Sequence, residues 1–158
     1  EQDRTLWSLP MILRAMLHFT KSAAGSEITP YHLQAGIAAC HSAAPDYAAT
    51  HWRQILALYD RLLEFDDSPV VALNRAVALA EVDGPQAGIE AIRAIPDLAS
   101  LESYYLLHAV LGEFESRLDH PGAAAPHFQR SLELAEIKSE QAFLAKRLQE
   151  CENALTAC

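Results

Sequence analysis

Turn-forming and cross-linking residues are scarce in this sequence. Six glycines and eight prolines are spread over 158 residues, too few breaks for a many-stranded sandwich or for a flexible chain. Cysteine is limited to Cys40, Cys151 and Cys158, an odd count with no CxxC spacing. That excludes a disulfide framework or a zinc site of that kind and points to a reducing compartment. Long apolar runs are missing too. The longest, "LWSLPMIL", gives way to Arg14 and His18, so it is neither a membrane span nor a signal peptide. Positive charge is short as well: 12 Lys and Arg against 21 Asp and Glu give a net charge of -9. Such a surface repels phosphate backbones and argues against direct nucleic-acid binding by this segment. The chain opens on Glu1 without an initiator Met, which suggests the interior of something longer.

Alanine and leucine are abundant instead, and apolar residues recur at three- and four-residue spacing nearly throughout, with no alternation of the kind a half-buried strand shows. The expectation is an all-α, single-domain chain of eight helices. They are placed at about 9–21, 30–43, 51–65, 69–82, 85–94, 98–118, 121–135 and 139–156. Ser8, Thr29 and Ser68 are candidate caps, Pro30 and Pro69 suit first helical positions, where a missing N–H costs nothing, and Asp83-Gly84-Pro85 reads as a stop. Short links predict antiparallel helix hairpins. Residues 1–28 read as a lead-in helix and linker, 29–135 as hairpin repeats, and 136–158 as a capping helix.

A repeat lies beneath this pattern. Tyr59, Ile92 and Phe128 recur at intervals of 33 and 36 residues, close to the period of about 34 of tetratricopeptide repeats. Small residues, Ala57, Gly88, Ala91, Ala124 and Ala125, fall where paired helices approach closely. The Trp-Leu-Gly-Tyr signature is absent, so the array is read as tetratricopeptide-like, a right-handed superhelix of hairpins. Equating Leu73 with Tyr104 places Asn74 and Tyr105 at one position of successive first helices, with Gln34 near the same position earlier. In tetratricopeptide arrays that position lines the inner groove. Gln34, Asn74, Arg75, Tyr105 and His108 are therefore the candidate protein-binding residues. A second reading also stands: Asn74 bridges a neighbouring loop and Arg75 pairs with a surface carboxylate.

Residues for chemistry are not grouped. Cys40 and His41 are adjacent and diverge on a helix, no HExxH occurs, and no metal or other cofactor is expected. The pairs Glu81 with Asp83 and Glu113 with Glu115 sit two apart, on different helix faces. GxSxG, P-loop and GxGxxG motifs are absent, so catalysis has no local support. Cys40, among small apolar neighbours in "GIAACHS", reads as core. Trp7 and Trp52 border helix starts, where they read as structural plugs.

The order of the segments adds more than the repeat. "EQDRTLW", "PYHLQAGIAACHSAAP", "HWRQILALYDRLL", "SPVVALNRAVALAEVDGPQAG", "YYLLHAV" and "EQAFLAKRL" resemble, over residues 1–151, the C-terminal tetratricopeptide-like extension of a group of bacterial extracytoplasmic-function sigma factors. "SPVVALNRAVALAEVDGP" is the most specific piece. After Trp7, Ser8-Leu9-Pro10 depart from the polar residues usual there, so no role is carried over to that segment. The resemblance implies a cytoplasmic, non-catalytic regulatory domain. Its partners would be its own sigma core domains or RNA polymerase, with promoter DNA read only through N-terminal domains outside this sequence. A small DGPF (YCII-related) protein is a further implied partner. Two other readings are a free-standing peptide-binding adaptor and, third, an enzyme with a small-molecule pocket in the groove.

Overall fold

The structure, a computed structural model, describes residues 4–22 and 28–156. Among them are eight α-helices and no strand. The helices are α1 (Leu9–Ser22), α2 (Pro30–Ala43), α3 (Trp52–Leu63), α4 (Pro69–Asp83), α5 (Pro85–Arg93), α6 (Tyr105–Arg117), α7 (Pro121–Leu134) and α8 (Lys138–Thr156). Single 3-10 turns precede α1 (Arg4–Leu6) and α6 (Leu98–Leu101). The expected proline starts hold at α2 and α4, and Pro85 and Pro121 open α5 and α7 in the same way. Ser68 does not cap through its side chain; its amide donates instead to Asp66 Oδ1 at 3.0 Å. At α2 the N-terminus closes on His32, whose Nδ1 accepts the Thr29 amide at 3.2 Å.

One helix differs from the expectation. The segment 98–118 is broken: Asp97 adopts a left-handed backbone (φ 53°, ψ 40°), a 3-10 turn follows, and Tyr104 is extended (φ -93°) before α6 begins. Leu98 and Leu101 are spaced three apart, so a 3-10 turn puts both on one side as well as an α-helix does. Leu101 is buried by it in the cluster beneath α4 and α5. The Ser100 amide and hydroxyl both return to the Asp97 carbonyl and hold the turn (3.0 and 2.8 Å). The break also moves the repeat register. Tyr104 flanks α6 whereas Leu73 lies well inside α4, so the two are not equivalent. Matched by helix start, the counterpart of Asn74 is Val110.

Consecutive helices pack on one another along the chain, and α4 also touches α6. The apolar interior forms three clusters. Leu33, Ile37, Cys40, Ile55, Leu62 and Ala78 join α2, α3 and α4. Leu73, Ala76, Ala80, Ile89, Ile92, Leu107 and Phe114 join α4, α5 and α6. Ala124, Phe128, Leu144 and Cys151 join α7 and α8. Gly88 and Ala124 are buried at close approaches, as the repeat pattern requires, but Ala57 is exposed. Cys40 and Cys151 are unpaired and buried, and burial raises both thiol pKa values. Cys158 lies outside the described residues.

The N-terminal turn is tied to α2 by one side chain. Arg4 Nη1 donates to the carbonyls of His41 (3.1 Å), Ala44 (2.8 Å) and Asp46 (3.0 Å), oxygens left free where α2 ends. Its guanidinium also lies over the Trp7 ring. Trp52 packs edge-on to His41 at 5.4 Å and against Tyr47 at 5.1 Å, half-buried at the start of α3.

Candidate functional site

A concavity of about 750 Å³ lies between α4, α6 and α8, with Tyr47 at its margin. Val110 and Ala109 of α6 and Phe143 of α8 give it an apolar floor and wall, and Phe143 is 57% exposed. Charged side chains bridge the helices across it. Arg117 of α6 pairs with Glu81 of α4, whose side chain is only 11% exposed. Arg147 of α8 donates through Nη2 to Glu113 Oε2 (2.8 Å) and Ser116 Oγ (3.1 Å) of α6, and through Nη1 to Glu150 Oε2 (2.6 Å). Its guanidinium stacks over Phe128, 5.4 Å from the ring centre, and its Nε is buried without a partner among the described residues. Burial works against that charge, but Glu113 and Glu150 more than offset it and hold the Arg147 pKa above its ordinary value. Lys146, 76% exposed, reaches only to 3.9 Å from Glu150.

These residues recur by helix position. Counted from each helix's first residue, Glu81, Arg117 and Glu150 are thirteenth in α4, α6 and α8, Glu113 and Lys146 are ninth in α6 and α8, and Val110 and Phe143 are sixth. The intervals from Glu81 to Arg117 to Glu150 are 36 and 33 residues, the same two that separate Phe128, Ile92 and Tyr59. Equivalent faces of alternate helices therefore line one groove.

None of the five sequence-predicted groove residues lines this cavity. Gln34 and Asn74 are exposed. Asn74 is the sixth residue of α4, matching Val110 and Phe143, but the cavity reaches α4 only two turns further on, at Glu81. Arg75 Nε donates to Asp60 Oδ1 at 2.6 Å, the surface pairing given as the second reading. Tyr105 turns its hydroxyl to Glu140 Oε1 of α8 (2.7 Å) and accepts the buried Ser131 hydroxyl at its carbonyl (2.9 Å). His108 is buried, donating through Nε2 to the Glu102 carbonyl (3.0 Å), with the His127 ring 6.3 Å away. These are internal contacts. Of the residues that do face the groove, Glu81, Val110, Glu113 and Phe143 recur at matched helix positions, whereas Arg147, the tenth residue of α8, does not. Glu113 and Glu115 have different partners, as their two-residue spacing predicts. Glu113 indeed faces Arg147, while Glu115 holds His120 Nδ1 at 3.0 Å. No group of three His, Cys, Asp or Glu able to hold a metal ion is gathered among the described residues.

Two tyrosines report on this part of the molecule. Burial and the adjoining Glu81 carboxylate push Tyr47 up to about 12, and the hydrogen bond to Glu140 pushes Tyr105 up to about 12, both from 10.0. The fold favours both neutral phenols. The stability they contribute is fully present below pH 10, falls as the unfolded phenols ionise, and is gone once pH passes about 12. An alkaline titration followed by tyrosinate absorbance is expected to show both ionising late, with Tyr105→Phe removing one late step. Ionisation of all five tyrosines near pH 10 would mean these contacts are absent in solution.

A second surface lies at α1. No residue of α1 is buried, and Leu9, Met11, Leu13 and Leu17 are 54–73% exposed. Ile12, Met16 and Phe19 turn to α2, where they and Ala35, Ala38, Ala39 and Ser42 border a cavity of about 400 Å³. The polar strip of α1 carries Arg14, His18 and Lys21 and no carboxylate. No helix among the described residues is long and apolar enough to cross a membrane.

No family model matches the chain. Over 148 residues, 94% of its length, it is 36% identical to an uncharacterized protein of Rhizobium meliloti (strain 1021). The match takes in 34% of that protein, so the chain spans about a third of the length of the curated relative it matches.

Proposed function

We propose that this chain is a non-catalytic, protein-binding regulatory domain of an extracytoplasmic-function sigma factor. It is a right-handed superhelical array of helix hairpins that works in the cytoplasm beside sigma core domains in a longer polypeptide. The observation that carries this reading is the outer face of α1: three leucines on one side of a helix, open to water and flanked by a cationic strip in a chain of net charge -9. An apolar face of that kind is what a domain presents to a neighbour. The relative's nearly threefold greater length supports a neighbour within the same polypeptide, and the segment order "SPVVALNRAVALAEVDGP" supports its being a sigma core. Bound there, the domain biases the core between polymerase-competent and silent states. RNA polymerase and a small DGPF (YCII-related) protein are the further partners, and promoter DNA is read by the core.

The test is promoter-dependent transcription by the full-length sigma and polymerase, comparing wild type with the triple change Leu9→Ser, Leu13→Ser, Leu17→Ser. Losing contacts worth about 1.4 kcal/mol shifts an equilibrium about tenfold, so a change in transcript yield of that order is expected. Equal yields at all sigma concentrations and salt strengths would remove the regulatory reading. The groove between α4, α6 and α8 favours a second reading, an adaptor that binds a segment of another protein.

A further inference from the structure

Three of the seven histidines, His108, His120 and His127, gather where α7 packs on α6. His108 of α6 is buried, with its Nε2 3.0 Å from the Glu102 carbonyl. A carbonyl only accepts, so Nε2 carries a hydrogen in either charge state and an added proton goes to Nδ1. The His127 ring of α7 stacks beside it, the centres 6.3 Å apart and the planes inclined by 27°. The carboxylates around this pair are distant or engaged. Glu102 Oε2 stands 3.9 Å from His108 Nε2, and Glu115 Oε2 is held by His120 Nδ1 at 3.0 Å. Arg93, at the end of α5, adds a positive charge facing His127.

Beside His127 the helix has a soft point. Pro126 lies inside α7, so the Gly122 carbonyl receives no bond from residue 126 and the proline ring crowds it. On the N-terminal side, 121–125 reads Pro-Gly-Ala-Ala-Ala, and it joins the α7–α8 cluster only through Ala124 and Ala125. Asp119, just ahead of it, is already in a left-handed backbone (φ 59°). On the C-terminal side the helix is anchored: Phe128 is buried, and the buried Ser131 hydroxyl donates to the Tyr105 carbonyl at 2.9 Å.

We propose that the N-terminal end of α7 is a pH-gated latch: in acid, charge on both rings of the His108–His127 pair drives 121–126 to detach from α6 and unwind as far as Pro126. One proton on the pair is accommodated, because His108 keeps its bond to the Glu102 carbonyl when charged. Two protons place cations 6.3 Å apart at a seam with little water. Unwinding relieves this by opening His127 to solvent, and it stops where Phe128 and Ser131 hold. Burial sets the His127 pKa below the ordinary 6.5, and charges on His108 and Arg93 lower it further, against Glu115 and Glu102. The unfolded imidazole therefore takes its proton first. What the closed latch contributes is complete above pH 6.5 and is lost as pH falls through the folded value of His127.

This inference is independent of the sigma and adaptor readings. Its test uses the whole chain labelled with ¹⁵N, from about pH 7.5 to about pH 5. Imidazole nitrogen shifts follow each histidine, and amide exchange follows the latch at Ala123 and Ala124, whose N–H groups bond the His120 carbonyl (both 3.0 Å). Their protection factors are expected to fall at least about tenfold along the His127 titration, with α2 to α5 unchanged. His127→Gln, which takes no proton there, is expected to abolish the fall. Pro126→Ala restores the bond to Gly122 and is expected to shrink it. No fall in wild type, an equal fall in every helix, or a fall of the same size in His127→Gln would overturn the latch. An undiminished fall in Pro126→Ala would do so too, since the unwinding would then not end at the missing bond.

Discussion

Phe128→Ala is expected to lower the unfolding free energy by about 3–5 kcal/mol, the usual range for emptying a buried aromatic site. The ring is 1% exposed and joins α6, α7 and α8. It lies so close to Gly112 that an added Cβ there would meet it at 3.0 Å, and Arg147 covers its face. The site has little room to collapse, because Ala124 beside it is fully buried and Leu144 is 2% exposed. Against a total stability of about 5–15 kcal/mol for a domain of this size, the change leaves a marginal fold. Urea denaturation followed by circular dichroism measures it: the midpoint falls while the slope is unchanged. A loss below about 1 kcal/mol would mean that α7 does not pack on α6 and α8 as described.

Gly88→Ala is expected to destabilise by about 2 kcal/mol, although alanine is the better helix former. A Cβ at residue 88 would stand 2.6 Å from the Phe114 ring and 2.7 Å from the Ala80 Cβ. The second contact belongs to the α4 helix wall and cannot swing aside, so α4 and α5 must separate. Gly122→Ala provides the contrast. Its nearest neighbour would be Leu155 Cδ2 at 3.7 Å, an ordinary contact. There the helix preference is unopposed and a gain of about 0.5–1 kcal/mol follows. The two variants, measured side by side by thermal denaturation, should move in opposite directions. Movement in the same direction would show that the α4–α5 approach is looser than the structure has it.

Most helices were legible because their edges are chemical. Pro30, Pro69 and Pro85 open helices within a residue of the expected starts, and Gly84, at φ 95°, closes one. The break at 102–104 was not legible, since Leu98 and Leu101 satisfy 3-10 and α spacing equally and no Pro or Gly marks the stop. That ambiguity shifted the register of α6 as well. With 98–118 as one helix, Tyr105 matches Asn74; counted from the true start of α6 the match is Val110, five residues further on. Tyr105, a groove candidate by repeat register, and His108 are instead held by Glu140 and the Glu102 carbonyl, from α8 and from the turn. Such partners cannot be assigned before the packing is known. Val110 and Phe143 drew no notice because an apolar residue on a groove floor looks, in sequence, like any core residue.

The interior is divided into three clusters, each built by helices adjacent in the chain; α4 serves the first through Ala78 and the second through Ala76 and Ala80. Cooperativity must therefore pass from one end to the other through single shared helices. α1, with nothing buried, can detach while the rest stays folded.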